Sequence, residues 1–256
     1  MPDRDEVIAT QRIVIETFRS FRTPLMEAFG AVTFTRKADY SQLTKWDTEI
    51  EDTLREKLSD TVPNWGFCGE ETGVHGSEET YWLIDPIDST ASFVRGLPFA
   101  TNMAALVHEG ETIAAVIYDF VQDRLYTALK GEGAYRDGQP ISVNEQRKKG
   151  DYLGYTFARR TYGPVAEAGR ELGLSVYLPV GAAGNAYLSL AEGKIDAVFA
   201  VGLSSARPYD HAPGMLIAEE AGAIVYSLDE NQGVARNEFV IGAPRLIGEI
   251  ERSGLF

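Results

Sequence analysis

The sequence is very poor in cysteine, since Cys68 is the only thiol among 256 residues. An intrachain disulfide is therefore excluded, which favours a reducing compartment, and we expect a cytoplasmic protein. The first residues contain no basic segment followed by an apolar stretch, so we predict no secretory signal. No run approaches the roughly 18 uninterrupted apolar residues typical of a membrane-spanning helix, so we expect no membrane partner.

Positive charge is also scarce. Lys and Arg total 24 against 38 Asp and Glu, which gives a formal net charge of −14 with neutral histidines. Nucleic acid and anionic membranes would repel such a chain, and we expect neither as its main partner. The composition is otherwise typical of a globular protein, and the length suffices for one domain or two packed halves. The same charge argues at first against an anionic substrate.

Helix and strand patterns divide the chain in two. We predict an N-terminal α+β part, residues 1–145, with antiparallel strands, and a C-terminal α/β part, residues 146–256, with the polar stretch 144–151 as the boundary. Asp137-Gly138 predicts a type I′ hairpin. The predicted helices cover 6–29, 90–95, 165–172, 182–192, 213–221 and 247–252, and another begins near Thr44 with Ile50, Leu54 and Leu58 on one face. The predicted strands or short apolar segments cover 32–37, 65–68, 81–84, 103–107, 113–118, 125–128, 175–179, 196–201, 223–226 and 240–242, and a polar loop covers 70–79.

The densest group of chemically active residues is Ile84-Asp85-Pro86-Ile87-Asp88-Ser89-Thr90. An apolar strand ends there in two aspartates, and the residues that follow predict a short helix stopped by Gly96. A helix start presents free N–H groups, which favour an anion such as phosphate. Two carboxylates about 4 Å apart repel by roughly 4 kcal/mol at an effective dielectric near 20, so a cluster needs protonation, solvent or a bridging cation.

Two interpretations of this segment stay open on its residues alone. Asp88 can simply be the N-cap of a strand-to-helix turn. Alternatively, the carboxylates bind a hard cation such as Mg²⁺, Mn²⁺ or Ca²⁺, which prefers oxygen ligands. Two such ions about 3.5–4 Å apart would promote in-line displacement at phosphorus.

Further motifs accompany this segment in a fixed order. The motifs are Lys37-Ala-Asp39 with Thr44-Lys-Trp46-Asp47, then Gly69-Glu70-Glu71, then Trp82-Leu-Ile-Asp85-Pro-Ile87-Asp88-Ser89-Thr90, then Tyr209-Asp210-His211-Ala-Pro-Gly214 with Glu220-Ala-Gly. With these motifs, the sequence resembles the inositol monophosphatase family, the Mg²⁺-dependent, lithium-sensitive phosphatases, over about residues 5–250.

The resemblance implies a fold and a metal centre. The fold would be the layered α-β-α-β-α sandwich of the inositol monophosphatase and fructose-1,6-bisphosphatase type. Two or three Mg²⁺ ions, or Mn²⁺, would be bound. The first would be held by Glu70, Asp85 and the carbonyl of Ile87, the second by Asp85, Asp88 and Asp210, and a weaker third near Glu70 with Asp47 close by.

The resemblance also implies catalytic and substrate-binding residues. Thr90 and Asp47 would orient the attacking water, with Glu70 as the third catalytic residue. The N–H groups of Ser89 and Thr90 would bind phosphate oxygens. The substrate would also contact Asp88, Asp210 and the segment Gly181-Ala182-Ala183.

The sequence departs from the family pattern at three places. Ser89 replaces the usual glycine, which costs about 1–2 kcal/mol if its φ must be positive. Trp46 replaces a small residue and either narrows the site or packs behind it. Ala200 stands where inositol-specific members carry a glutamate, and the loop 201–208 is longer, which argues against strict inositol specificity.

We therefore expect a Mg²⁺-dependent phosphomonoesterase acting on a small phosphorylated metabolite, with myo-inositol monophosphate as the first substrate. Histidinol phosphate and fructose 1,6-bisphosphate are the alternatives. By resemblance, the enzyme would be a lithium-sensitive homodimer. The alternative from another class is a regulatory or protein-binding member of the same fold.

Several residues keep two interpretations each. Glu71 lies behind the metal ligands or is a solvated loop acid, and Lys37 approaches phosphate or is a surface charge. We expect a solvated or helix-terminal His211 rather than a catalytic one, and an inert, buried Cys68. Three arginines could bind a second anionic group of the substrate: Arg159, Arg160 and Arg207.

Overall fold

The computed structural model describes residues 1–157, 161–179, 183–202 and 207–254. Its helices are α1 (Arg4–Ala28), α2 (Lys45–Thr61), α3 (Thr90–Arg95), α4 (Tyr162–Glu171), α5 (Ala183–Ala191), α6 (Pro208–Glu220) and α7 (Pro244–Ser253). Its strands are β1 (Thr35–Arg36), β2 (Gln42–Leu43), β3 (Gly66–Gly69), β4 (Gly73–His75), β5 (Thr80–Asp88), β6 (Thr101–His108), β7 (Glu111–Asp119), β8 (Arg124–Leu129), β9 (Ala134–Arg136), β10 (Gln139–Pro140), β11 (Tyr152–Thr156), β12 (Leu174–Tyr177), β13 (Ala197–Ala200), β14 (Ile224–Ser227) and β15 (Phe239–Gly242).

The two long N-terminal helices begin at side-chain caps. Asp3 accepts the N–H of Asp5 at the start of α1, and Thr44 accepts the N–H of Trp46 at the start of α2. Each helix buries one apolar face, with Phe18 on α1 and Leu54 on α2 fully buried. Both helices contact the first sheet, α1 through β7 and α2 through β5.

The first sheet has eight strands in the order β10-β9-β8-β7-β6-β5-β3-β4. Its neighbours are antiparallel except for β3 and β5, which run parallel. The central strand β6 is buried along its whole length. At the β9–β10 turn both Asp137 and Gly138 have positive φ, as the predicted type I′ hairpin requires.

The second sheet has five strands in the order β12-β11-β13-β15-β14. β11 runs parallel to β12 and β13, whereas β15 runs antiparallel to β13 and β14. The first sheet ends at Pro140 and the second begins at Tyr152. The division into domains at residues 145 and 146 stays a prediction.

The elements form five layers. α1 and α2 cover the outer face of the first sheet, and α5 and α6 lie between the sheets, where α6 contacts β6 and β7 and α5 contacts β13. α4 and α7 cover the other face of the second sheet through β12, β14 and β15. The layered α-β-α-β-α architecture expected from the sequence is therefore correct. None of the helices in the described ranges is long and apolar enough to span a bilayer.

Several elements differ from the sequence prediction, among them strand β11 (Tyr152–Thr156), which the prediction did not include. The strand predicted for 32–37 shrinks to the exposed pair Thr35–Arg36, because no core covers it. The predicted loop 70–79 contains the edge strand β4, whose exposed residues give no alternating signal. Helix α6 begins at Pro208 instead of residue 213, and the earlier start places Asp210 inside its first turn.

Candidate active site

The end of β5 contains an irregularity that exposes two aspartates to one cleft. The pairing register with β6 shifts between Asp85 and Asp88, and Pro86, which has no N–H to donate, lies in the shift. The side chain of Asn102 donates to the carbonyl of Pro86 at 2.5 Å and fixes the bulge. Asp85, Asp88 and Ile87 consequently line the same cleft of about 290 Å³.

Glu70 reaches this cleft from the neighbouring parallel strand. Gly69 of β3 pairs with Ile84 of β5, and the N–H of Glu70 donates to the Ile84 carbonyl at 3.1 Å. Because the two parallel strands end at the same edge of the sheet, Glu70 and Asp85 emerge side by side.

Glu51 of α2 is a supporting residue that the sequence analysis missed. It is fully buried and accepts the N–H groups of Glu71 and Thr72, each at 2.9 Å. A Cβ at Gly69 would lie 2.1 Å from its carboxylate, which explains the glycine before Glu70. The available signal was an acid one turn after Asp47, on a helix face otherwise lined by Ile50 and Leu54.

Asp47 and Thr90 come together as expected. Asp47 Oδ2 accepts the N–H and the hydroxyl of Thr44, each at 2.7 Å, in a capping box at the start of α2. Its other oxygen, Oδ1, lies 3.4 Å from Thr90 Oγ1, which is also 3.1 Å from the carbonyl of Ile87. One carboxylate, one hydroxyl and one carbonyl therefore share a corner of the cleft.

Ser89, which replaces the usual glycine of the family, has a left-handed backbone conformation. Its φ is 64° and its ψ is 56°, and it precedes the first residue of α3. Its carbonyl accepts the N–H groups of Ser92 and Phe93, which leaves the first N–H groups of the helix without intrahelical acceptors. The turn therefore presents the N–H groups of Ser89 and Thr90 at the cleft wall.

Asp88 links the first sheet to the start of α5. Its carboxylate accepts the N–H of Gly184 at 2.7 Å and that of Ala183 at 3.3 Å, together with the Thr101 hydroxyl at 3.3 Å. A Cβ at Gly184 would lie 2.6 Å from Thr101 Oγ1, so only glycine allows this contact. Asp88 is thus an N-cap as well as a cleft residue, but it caps α5 rather than the helix that follows it.

Asp210 completes the acidic wall from the first turn of α6. Its neighbour His211 is buried and hydrogen-bonded through Nδ1 to the hydroxyl of Tyr187 on α5 at 2.7 Å. Burial lowers the pKa of His211 to about 4. The helix-terminal interpretation of His211 holds, whereas the solvated one is wrong because the rings of Phe157, Tyr187 and Phe239 surround it.

Few positive charges or hydrogen-bond donors offset the negative charges of the buried cleft acids. Burial and the surrounding acids raise the pKa of Asp85 and Asp88, and burial with the nearby Glu70 raises that of Asp210 to about 7. Burial likewise raises the pKa of Asp47 to about 6. Asp85 Oδ1 is buried and has no hydrogen-bond partner among the described residues. An orphaned, buried carboxylate oxygen facing other acids fits a hard divalent cation.

Glu70 forms ion pairs with two basic side chains of the protein. Lys37 Nζ lies 2.9 Å from Glu70 Oε1 and 2.5 Å from Glu71 Oε1, and Arg207 Nη1 lies 3.5 Å from Glu70 Oε1. Across the described ranges, no three Asp, Glu, His or Cys side chains are arranged to enclose one ion. Lys37 therefore pairs with Glu70 and Glu71 at mostly buried positions, so neither Lys37 nor Glu71 is a solvated surface charge.

The remaining predicted residues fall into three groups. Trp46 packs on Phe21 of α1, with ring centroids 6.4 Å apart, and so packs behind the site instead of narrowing it. Ala200 is fully buried in β13, and Cys68 is half-buried. Gly181, Ala182, Arg159, Arg160 and residues 203–206 of the 201–208 loop lie outside the described residues, whereas Arg207 pairs with Asp39 at 2.6 Å.

Comparisons of sequence and structure relate this chain to known proteins. The model of the inositol monophosphatase family matches residues 5–253. An inositol-1-monophosphatase of Mesorhizobium japonicum is 31% identical over 214 residues, 78% of this chain and 77% of the relative. The Nus factor SuhB of Haemophilus influenzae is 31% identical over 233 residues, 88% of this chain and 86% of the relative. A solved inositol monophosphatase of Thermotoga maritima has a TM-score of 0.78 at 22% identity and covers 95% of this chain and 98% of its own.

Proposed function

The chain belongs to the inositol monophosphatase family, and we propose that it hydrolyses a small phosphorylated metabolite by in-line attack of water at phosphorus. Membership of the family supports a phosphatase. The observation that carries the proposal is the buried acidic wall, in which Asp85 has an unpartnered carboxylate oxygen beside Glu70, Asp88 and Asp210.

We assign the metal ligands to this wall. Glu70, Asp85 and the carbonyl of Ile87 would hold one Mg²⁺, and Asp85, Asp88 and Asp210 a second, with a weaker third ion near Glu70 and Mn²⁺ as a substitute. When bound, the ions stabilise charge on the phosphoryl and leaving oxygens and lower the pKa of water. Before Glu70 could bind an ion, its ion pairs with Lys37 and Arg207 would have to break.

The chain's own residues place the reactants. The N–H groups of Ser89 and Thr90 would donate to phosphate oxygens, since the start of α3 leaves them without intrahelical acceptors. The Thr90 hydroxyl, between Asp47 Oδ1 and the Ile87 carbonyl, would orient the attacking water, and Asp47 would accept its proton.

The substrate would occupy the cleft in front of these residues. Ala183, with Gly181 and Ala182, would contact its hydroxyl groups at the start of α5. The first substrate to test is myo-inositol monophosphate, because relatives carry the name inositol-1-monophosphatase. Histidinol phosphate and fructose 1,6-bisphosphate come next, since Ala200 has no side chain able to recognise a ring hydroxyl. We also propose that the protein is cytoplasmic and forms a homodimer.

The test measures inorganic phosphate released from these three substrates, with and without Mg²⁺. We expect release only with Mg²⁺, and we expect lithium to inhibit it. Asp88→Asn should lower kcat at least a thousandfold while the circular dichroism spectrum stays unchanged. Asp119→Asn, a buried aspartate in the β7–β8 turn, is the matched control and should retain activity. Metal-independent release, or an active Asp88→Asn variant, would contradict the assignment.

A second candidate function rests on the relatives named Nus factor SuhB, which belong to the same family. In this case the fold would act as a regulatory, protein-binding module. A folded sample that releases phosphate from none of the substrates, and whose melting temperature Mg²⁺ does not change, would favour this candidate.

A further inference from the structure

Two arginines line the same cleft as the acids. Arg36 belongs to β1 and Arg95 is the last residue of α3, and both border the 290 Å³ space that Asp85, Asp88 and Asp210 also line. Tyr40 and Ser41, from the turn between β1 and β2, line it as well. The cleft therefore has acids suited to metal and also carries positive charge of its own.

Neither arginine has a carboxylate partner within ion-pair distance among the described residues. Arg95 Nη1 donates to the carbonyl of Ala91 at 2.9 Å and to Gln42 Oε1 at 3.4 Å. Arg36 Nη1 donates to the carbonyl of Tyr40 at 3.4 Å, and its guanidinium lies 5.8 Å from the centroid of the Phe34 ring. All of these partners are neutral, and a guanidinium has five N–H donors, so most of them remain available.

This arrangement is informative in a chain with a net charge of −14. Some other arginines pair with acids, as Arg207 does with Asp39 at 2.6 Å and Arg147 does with Asp196 at 3.1 Å. Two guanidinium groups facing a cleft with only neutral partners form a site for an anion.

We propose that Arg36 and Arg95 bind a second anionic group of the substrate, so that the preferred substrate carries a phosphate or carboxylate in addition to the phosphate ester that is cleaved. The inference rests on the proposed function, which places the cleaved phosphate at the N–H groups of Ser89 and Thr90. Arg95 lies five residues further along α3, about 7.5 Å along the helix axis. A short carbon scaffold spans this separation.

The test compares two substrates that differ only in the second anion, fructose 1,6-bisphosphate and fructose 1-phosphate, at saturating Mg²⁺. The wild-type chain should show at least a tenfold lower KM for the bisphosphate. Arg36→Gln and Arg95→Gln should each raise the KM for the bisphosphate about tenfold, leave kcat unchanged, and alter the KM for the monophosphate by less than twofold. Arg12→Gln, an exposed arginine on α1 outside the cleft, is the matched control and should change neither value.

Each other outcome contradicts the inference in a distinct way. Equal KM values of the wild type for both substrates would exclude a second anion site. A similar rise for both substrates in the variants would assign the arginines to the cleaved phosphate. If the wild type releases phosphate from neither sugar nor from myo-inositol monophosphate, the proposed function fails and this inference fails with it. Circular dichroism of each variant verifies that the exposed substitutions leave the fold intact.

Discussion

Asp85 is buried at a place where burial is unfavourable for a carboxylate. Its Oδ1 has no partner among the described residues, and the charges of Glu70, Asp88 and Asp210 face it. Asp196 is equally buried, but it has Arg147 at 3.1 Å and the N–H of Leu153 at 2.8 Å. Asp196 therefore has its charge balanced within the fold, whereas the charge of Asp85 needs a partner from outside the chain.

We predict that Asp85→Asn stabilises the protein in EDTA. The amide keeps the shape of the carboxylate and removes a buried charge among like charges, so the free energy of unfolding should rise by about 1–2 kcal/mol. Thermal unfolding in EDTA at pH 8 measures the change. Mg²⁺ should raise the melting temperature of the wild type but not of the variant.

Asp196→Asn is the matched control, because it weakens a satisfied, buried ion pair. It should lower the free energy of unfolding by about 1–3 kcal/mol. An Asp85→Asn variant that melts below the wild type in EDTA would show that Asp85 is compensated within the chain.

Ser89 carries a second residue-scale cost, since its φ of 64° places a Cβ in the left-handed region. We predict that Ser89→Gly relieves about 1–2 kcal/mol of strain, partly offset by loss of the hydrogen bond from Ser89 Oγ to Ser92 Oγ at 2.8 Å. Because the backbone N–H remains, kcat should change by less than twofold.

Ser92→Ala separates the two effects, because it removes the same hydrogen bond and leaves the strain. The difference between the two variants in chemical denaturation gives the strain itself. A Ser89→Gly variant no more stable than Ser92→Ala would show that the serine conformation is unstrained.

At the scale of elements, periodicity predicted what is buried on one face. Helix α2 and strands β6, β7 and β8 lie close to their expected positions. Thr44 caps the helix, β6 and β7 contain continuous apolar runs, and the burial of β8 alternates along the strand. The edge strand β4 and the start of α6 were mispredicted, since exposed residues and an internal Pro213 hide them.

Some residues of the candidate site could be predicted from the sequence, and others could not. Asp47, Asp85, Asp88 and Thr90 were found from local motifs and a family resemblance, and the structure brings them into one cleft. Glu51, Gly184 and the Tyr187–His211 pair were missed, because their roles arise only when distant elements pack. Spacing along a sequence carries no information about such contacts.

The Tyr187–His211 hydrogen bond links α5, whose start contacts Asp88, to α6, which carries Asp210. We predict that Tyr187→Phe loosens this link and weakens Mg²⁺ binding about three- to tenfold, measured by isothermal titration calorimetry. Thr80→Val is the matched control, since it removes a similar 2.7 Å hydrogen bond to His108 remote from the cleft.

Both variants should lose comparable stability, about 1–3 kcal/mol, because each leaves a buried histidine nitrogen without its partner. Only Tyr187→Phe should change the dissociation constant for Mg²⁺. Equal affinities in the two variants would mean that the α5–α6 hydrogen bond serves stability alone.

At the scale of the whole molecule, part of the net charge of −14 comes from acids gathered at one place. The proposed site gathers Asp47, Glu70, Asp85, Asp88 and Asp210, five of the 38 acids. Divalent cations bound there would reverse the local sign, so an anionic substrate becomes compatible with an acidic chain.

We predict that the stability of the metal-free protein falls as pH rises. Burial raises the pKa of Asp47 to about 6 and those of Glu71 and Asp210 to about 7. Groups with raised folded-state pKa values contribute stability that is complete below their ordinary values near 4 and is lost through about pH 6–7.

His211 works in the opposite direction, because its pKa is lowered to about 4 and its contribution is lost as pH falls below about 6.5. The decline in melting temperature in EDTA should therefore extend from about pH 5 to about pH 7 and level off above that range, and saturating Mg²⁺ should abolish it. A melting temperature in EDTA that is constant or rises across this window would contradict the prediction.

The contacts around the cleft join residues far apart in the chain, and this has a consequence for timing. Asp88 and Gly184 are 96 positions apart, and Asp39 and Arg207 are 168 apart. During synthesis the ribosome releases Glu70, Asp85 and Asp88 long before Asp210, so a nascent chain carries an unfinished cleft for most of its translation. Closing such long loops is slow compared with local folding. The proposed activity would therefore begin only when nearly the whole chain has been made, and an interrupted translation product would be inactive.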